Sequence, residues 1–116
     1  MPTDDRLYLR HMQDHAAKAL ALASGKTRVE FDADEVLRLA LTYLIQIVGE
    51  AASQVSQETR GAHPEIPWQS IVGMRHRLVH GYFAVDEDIV WKTLMTELEP
   101  VLRALERMPE ARGERG

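Results

Sequence analysis

Cysteine is absent from this 116-residue sequence. That removes disulfide scaffolds, thiolate zinc sites and cysteine nucleophiles before any motif is considered, and it permits a reducing cytoplasm without requiring one. Excess positive charge is lacking too. Lys+Arg 14 against Asp+Glu 18 gives a formal net charge of −4, so any contact with nucleic acid must come from a local patch on an acidic body. The longest charge-free apolar run, Leu39 to Gly49, is shorter than the roughly 20 residues a bilayer span needs. Met1 to Asp5 lacks the basic and apolar regions of a signal peptide, and no membrane partner is expected. Glycine and proline are few, 7 and 5, while hydrophobic residues make up 45 % and charged residues 28 %. This is the composition of an ordinary globular domain, and the length suits one domain over residues 1–116. All basic residues except Lys18, Lys26 and Lys92 are arginines, which suits bidentate phosphate binding but is equally explained by codon usage.

What is present is helical periodicity throughout, with no alternation of period two. A first helix is expected from Asp4 to Ala23, with Tyr8, Leu9, Met12, Ala16, Ala19, Leu20 and Ala23 on one arc and Ser24-Gly25 as its stop. Asp32 reads as the N-cap of a second helix, with Glu35 completing a capping box and Phe31 stapled to Val36. From Val36 to Val48 every residue is apolar except Arg38, Thr42 and Gln46, so this reads as the central, mostly buried helix, ended by Arg60-Gly61 with Gly61 left-handed. Pro67 opens a third helix at its first position, and Gly81 closes it. Asp86 caps a fourth, whose stripe is Val90, Trp91, Leu94, Leu98, Val101 and Leu105. Pro100 lies inside that stripe, predicting a kink or break near Leu98 to Pro100, and residues 109–116 read as a frayed tail. The fold class expected is all-α: a four-helix bundle, mostly up and down.

Chemistry concentrates in Met74-Arg75-His76-Arg77-Leu78-Val79-His80-Gly81-Tyr82, which packs two Arg and two His into an otherwise acidic chain. On a helical wheel Arg75 falls within the apolar arc of Trp68, Ile71, Val72, Met74, Leu78 and Val79. A guanidinium there requires a carboxylate, a phosphate or a wet interface, because its charge persists and stripping its water without partners costs several kcal/mol. Two readings stand open: a buried structural pair, with Glu50 as the candidate carboxylate, or a phosphate site. His80 suits the second, since an imidazole exchanges protons near neutrality whereas Arg supplies only charge. A straight helix would set Arg75 and His80 about 140° and 7.5 Å apart. Either the helix bends or unwinds at Gly81, or the long Arg75 side chain folds around, or the site is composite, built across a two-fold axis from two chains; the last, combined with some distortion, is the favoured reading.

The combination Arg75-His76-Arg77-Leu78-Val79-His80-Gly81-Tyr82-Phe83, following Pro64-Glu65-Ile66-Pro67-Trp68 and preceding an acidic helix start with Ile89-Val90-Trp91, resembles the HepT toxins of the HEPN superfamily. The likeness covers nearly the whole chain, including Ile47-Val48-Gly49-Glu50-Ala51. It implies a HEPN-like bundle and a metal-independent, cofactor-free endoribonuclease toxin of a prokaryotic cytoplasm, active as a homodimer in a type VII-like toxin–antitoxin pair with a minimal nucleotidyltransferase (MNT). Under it, Arg75 neutralises the scissile RNA phosphate, and His80 is general acid or base for attack by the ribose 2′-hydroxyl, giving a 2′,3′-cyclic phosphate and a 5′-hydroxyl. Tyr82 is the residue the antitoxin adenylylates, adding negative charge where RNA phosphate must sit. Glu50, His76 and Arg77 support the site. His76 departs from the pattern, which carries Asn or Asp after the motif Arg.

Two rival readings remain at this level. One is a noncatalytic helical partner that docks a nucleotide or the nucleotidyltransferase. The other is a metal site on His11 and His15 or on His76 and His80, each pair four residues apart.

Overall fold

The computed structural model describes residues 3–80 and 84–109, without the side chains of Thr3, Arg75, Val79, His80 and Ala84. Its helices are α1 (Thr3–Ala23), α2 (Arg28–Ala33), α3 (Glu35–Gln54), α4 (Gln57–Ala62), α5 (Trp68–Val72), α6 (Met74–Leu78), α7 (Glu87–Lys92) and α8 (Leu98–Arg107), with a π-turn over Thr93–Glu97. Two short strands, β1 (Val79–His80) and β2 (Ala84–Val85), form a small antiparallel ladder. The all-α bundle is as the sequence implies, but its helices are cut more finely than four uninterrupted rods. The expected tail falls outside the described residues except at Pro109.

The core follows the apolar spacing of α1. Leu9, Met12, Ala16, Ala19 and Ala23 are buried at intervals of three and four, and α1 packs mainly on α3 and α8. α3 contributes Leu37, Leu41, Leu44, Ile45 and Val48, and α8 contributes Leu98, Val101, Leu102 and Leu105. Gly25, with φ +74°, stops the chain after α1 in the left-handed conformation a glycine adopts without penalty.

Both the start and the end of α3 differ from the sequence reading. Thr27 and Glu30 form a capping box that starts α2 early. Asp32 is therefore inside a helix, paired with Arg28 at 2.9 Å, and Asp34 caps α3 instead. No Phe31–Val36 staple forms: Phe31 is fully buried, its ring 5.2 Å from that of Trp91, while Val36 is exposed. Arg38, the first interruption of the apolar run, bonds the Phe31 carbonyl at 3.2 Å and pairs with Glu87 at 3.2 Å, tying α2 and α3 to the start of α7.

α3 ends at Gln54, not at Gly61. Arg60 reaches back to the carbonyls of Ala52, Ser53 and Val55 at 3.0–3.1 Å, satisfying acceptors that a helix end leaves open. Ser56 caps α4, and the buried Asp5 carboxylate accepts from the Ser56 N–H at 3.0 Å, the Ser56 hydroxyl at 2.5 Å and the Thr59 hydroxyl at 2.6 Å. Burial pushes the Asp5 carboxyl up, but hydrogen bonds from Ser56 and Thr59 outweigh it and hold it below its ordinary value. Gly61 lies inside α4 without a positive φ.

α3 is also less buried than its composition suggests. By length and composition it is apolar enough to cross a membrane, yet only 44 % of that window is buried within the chain. Val36, Leu39 and Tyr43, at helical spacing, are 77 %, 62 % and 59 % exposed.

Candidate functional site

α5 and α6 form one broken rod. Pro67 is the N-cap of α5 rather than its first residue, and the Trp68 indole donates to the His63 carbonyl at 2.9 Å, fixing the entry. Gly73 separates α5 from α6. Gly49 sets how near this rod lies to α3: an ideal Cβ there would stand 2.8 Å from the Ile71 carbonyl oxygen and 3.4 Å from the Met74 Cβ. No side chain larger than hydrogen fits without displacement.

The helix ends at Leu78 rather than Gly81. The Asp86 N–H donates to the Leu78 carbonyl at 2.6 Å, and the chain goes directly into β1, where Val79 pairs with Val85 and His80 with Ala84. Arg75 is thus the second residue of a short helix and His80 the second of a strand. The straight-helix separation of about 140° no longer governs them, because each extended residue advances about 3.3 Å without helical rotation. Their side chains, and Gly81 and Tyr82 entirely, lie outside the described residues.

The supporting residues divide. Glu50 is exposed on α3 one step past Gly49, and the Arg75 side chain with which the structural-pair reading would match it lies outside the described residues. His76 is exposed on α6. Arg77 is half-buried and turned inward: its guanidinium donates to the Ser70 hydroxyl at 2.8 Å and reaches Glu97 at 3.5 Å. Ser70 and Glu97 escaped the sequence reading. The available signal was Pro100, which announced irregularity in the helix carrying Glu97 but not which side chain it would redirect.

For the metal reading, β1 begins between His76 and His80, so they are not a helical i, i+4 pair. His11 and His15 do share a helical face, with ring centroids 6.2 Å apart, but the His15 Nδ1 is engaged with the His11 carbonyl at 2.7 Å. Among the described residues no group of three or more His, Asp or Glu could hold a metal ion.

Residues 12–108 match the family described as Ribonuclease HepT-like. A protein of Caldanaerobacter subterraneus subsp. tengcongensis, named as an RNase, is 34 % identical over 80 % of this chain and 83 % of its own length. A Thermococcus cleftensis protein named for the ribonuclease HepT is 31 % identical over 79 % of this chain and 87 % of its own. A Methanocaldococcus jannaschii protein named as an RNase is 30 % identical over 89 % and 94 %. No solved structure matches.

Proposed function

The chain belongs to the HepT-like ribonuclease family, and from that premise we propose that it is a single-domain, metal-independent endoribonuclease toxin with Arg75 and His80 as its catalytic residues. Arg75 binds the scissile phosphate and offsets the charge that accumulates on its oxygens. His80 takes the proton from the ribose 2′-hydroxyl as that oxygen attacks phosphorus, or gives a proton to the departing 5′-oxygen. A second copy's imidazole performs the other transfer, leaving a 2′,3′-cyclic phosphate and a 5′-hydroxyl. The observation that carries this reading is the end of α6 at Leu78: Arg75 and His80 belong to two different elements joined at a hydrogen-bonded corner, which removes the opposed placement a continuous helix would impose.

The homodimer is supported by the exposed Val36, Leu39 and Tyr43 on α3. A helix this apolar and only partly covered by its own chain presents a face suited to a second copy. Tyr82, two residues beyond His80, is in this reading the acceptor of AMP from a minimal nucleotidyltransferase antitoxin. One or more AMP groups there put negative charge in the path of an RNA phosphate.

The test is cleavage of RNA by the purified protein in EDTA. Activity that survives chelation and disappears in both Arg75→Ala and His80→Ala is the expected result. Undiminished cleavage in those variants refutes their roles, and tight RNA binding without cleavage points to the noncatalytic alternative. Incubation with the antitoxin and ATP should add AMP mass to the wild type but not to Tyr82→Phe.

A further inference from the structure

The π-turn over Thr93–Glu97 lies against α6, and the role inferred for it rests on the assignment of Arg75 to catalysis. α6 has five residues, too few for a helix to sustain its own axis, since nucleation is not repaid over so short a length. Its orientation is therefore imposed from outside. Met74 and Leu78 are buried at 4 % and 0 % exposure, which holds the helix against the core. Apolar burial is non-directional, however, and fixes rotation about the helix axis only coarsely.

Among the described side chains of α6, Arg77 makes hydrogen bonds to two neighbouring elements. Arg77 donates to the Ser70 hydroxyl on α5 at 2.8 Å and to Glu97 on the π-turn at 3.5 Å. The two charged side chains are 34 % and 32 % exposed, so solvent and salt screen them less than a fully exposed pair. The π-turn is itself internally secured. Leu98 N–H bonds the Thr93 carbonyl five residues back, and the Thr93 and Thr96 hydroxyls donate to the carbonyls of Ile89 and Lys92, each at 2.8 Å. The Thr93 hydroxyl also lies 3.8 Å from the Met74 sulfur. One irregular turn thus touches α6 at Met74 and at Arg77, on either side of Arg75. π-turns within helices occur often at functional sites.

We propose that Glu97 is a positioning residue for Arg75: held out by the π-turn, it grips Arg77 and so fixes the rotation of α6 about its axis. Arg77 is then part of the scaffold and not a phosphate ligand, although sequence spacing groups it with Arg75.

The experiment is steady-state cleavage of bulk cellular RNA in EDTA by wild type, Glu97→Gln, Arg77→Lys, Arg77→Glu and the swapped pair Arg77→Glu/Glu97→Arg, with thermal midpoints measured for each. Glu97→Gln and Arg77→Lys should each lower kcat about tenfold with KM unchanged within about twofold, the signature of a displaced catalytic group. Their thermal midpoints should stay close to wild type, and the pH profile of kcat should keep its shape. The swapped pair should recover activity relative to Arg77→Glu alone. Full kcat in Glu97→Gln overturns the proposal, as does a loss confined to KM, which would make Arg77 an RNA ligand, or a loss that tracks unfolding. Cleavage that depends on Arg75 but is indifferent to Glu97 overturns this inference alone. Absence of Arg75-dependent cleavage in the wild type overturns the parent reading and this one together.

Discussion

Replacing Gly49 by alanine tests the close approach between α3 and the broken rod that carries Arg75. Two effects of opposite sign compete. In a helix interior Gly→Ala gains about 1 kcal/mol from backbone entropy and helix propensity. Against it stands a Cβ placed 2.8 Å from the Ile71 carbonyl oxygen and 3.4 Å from the Met74 Cβ. The nearer obstacle is backbone and cannot be relieved by a change of rotamer. Overpacking of this kind costs about 1–3 kcal/mol, so the net expectation is destabilisation by about 1 kcal/mol.

Gly61 supplies the control. It lies in α4 with nothing within 4 Å of its ideal Cβ, so Gly61→Ala should stabilise by as much as 1 kcal/mol, a little less near a helix end. The same chemical change is therefore expected to move stability in opposite directions, separating the variants by about 2 kcal/mol, or about 8 °C in Tm for a chain of this size. Scanning calorimetry or thermal circular dichroism reads this directly. Equal gains in both variants would show that α3 and α5 are not in contact at Gly49, and the placement of α6 beside α3 would go with it.

Asp5→Asn should lose about 2 kcal/mol at neutral pH, because a buried, three-fold hydrogen-bonded carboxylate is exchanged for an amide that cannot accept all three bonds. The Asp5 carboxyl is held below its ordinary value in the folded protein, so its contribution is complete above the unfolded pKa of about 3.9 and is lost as pH falls through the folded value. The gap between wild type and variant in urea unfolding should therefore narrow from pH 7 to pH 3, and a constant gap refutes the assignment. Leu39→Asp/Tyr43→Asp should convert the proposed dimer to a monomer with an unchanged circular dichroism spectrum, since both side chains are exposed within the chain. Sedimentation velocity checks it, and a variant that remains dimeric places the interface elsewhere.

The helical class, α1 and its buried arc, and the Asp86 cap were legible because each rests on local chemistry: a periodic stripe, a glycine stop, a capping side chain. Where the sequence misled, two local signals competed. Asp32 and Asp34 both offer a cap before the same apolar run, and the choice fell to Asp34 because Thr27-Arg28-Val29-Glu30 had already begun a helix. The end of α3 was obscured because its determinants, Asp5 and Arg60, act on it from α1 and α4. β1 left no period to detect, having two residues. The motif was readable as a string of residue types, but the inward turn of Arg77 was not, because Glu97 meets it only in the folded chain.

A π-turn holds one residue more than the α-helical turn it replaces. Thr93–Glu97 is followed by Pro100, whose ring in a continuous α-helix would collide with the Thr96 carbonyl and whose missing N–H would leave that carbonyl unmet. The wider turn accommodates the imino acid and shifts the phase of everything downstream. A relative without that surplus residue would match α8 only across a one-position gap here, and its counterpart of Glu97 would sit at a different angle. Length variation at this single point in the chain therefore offers a route by which otherwise similar proteins could come to differ in how the neighbouring basic segment is held.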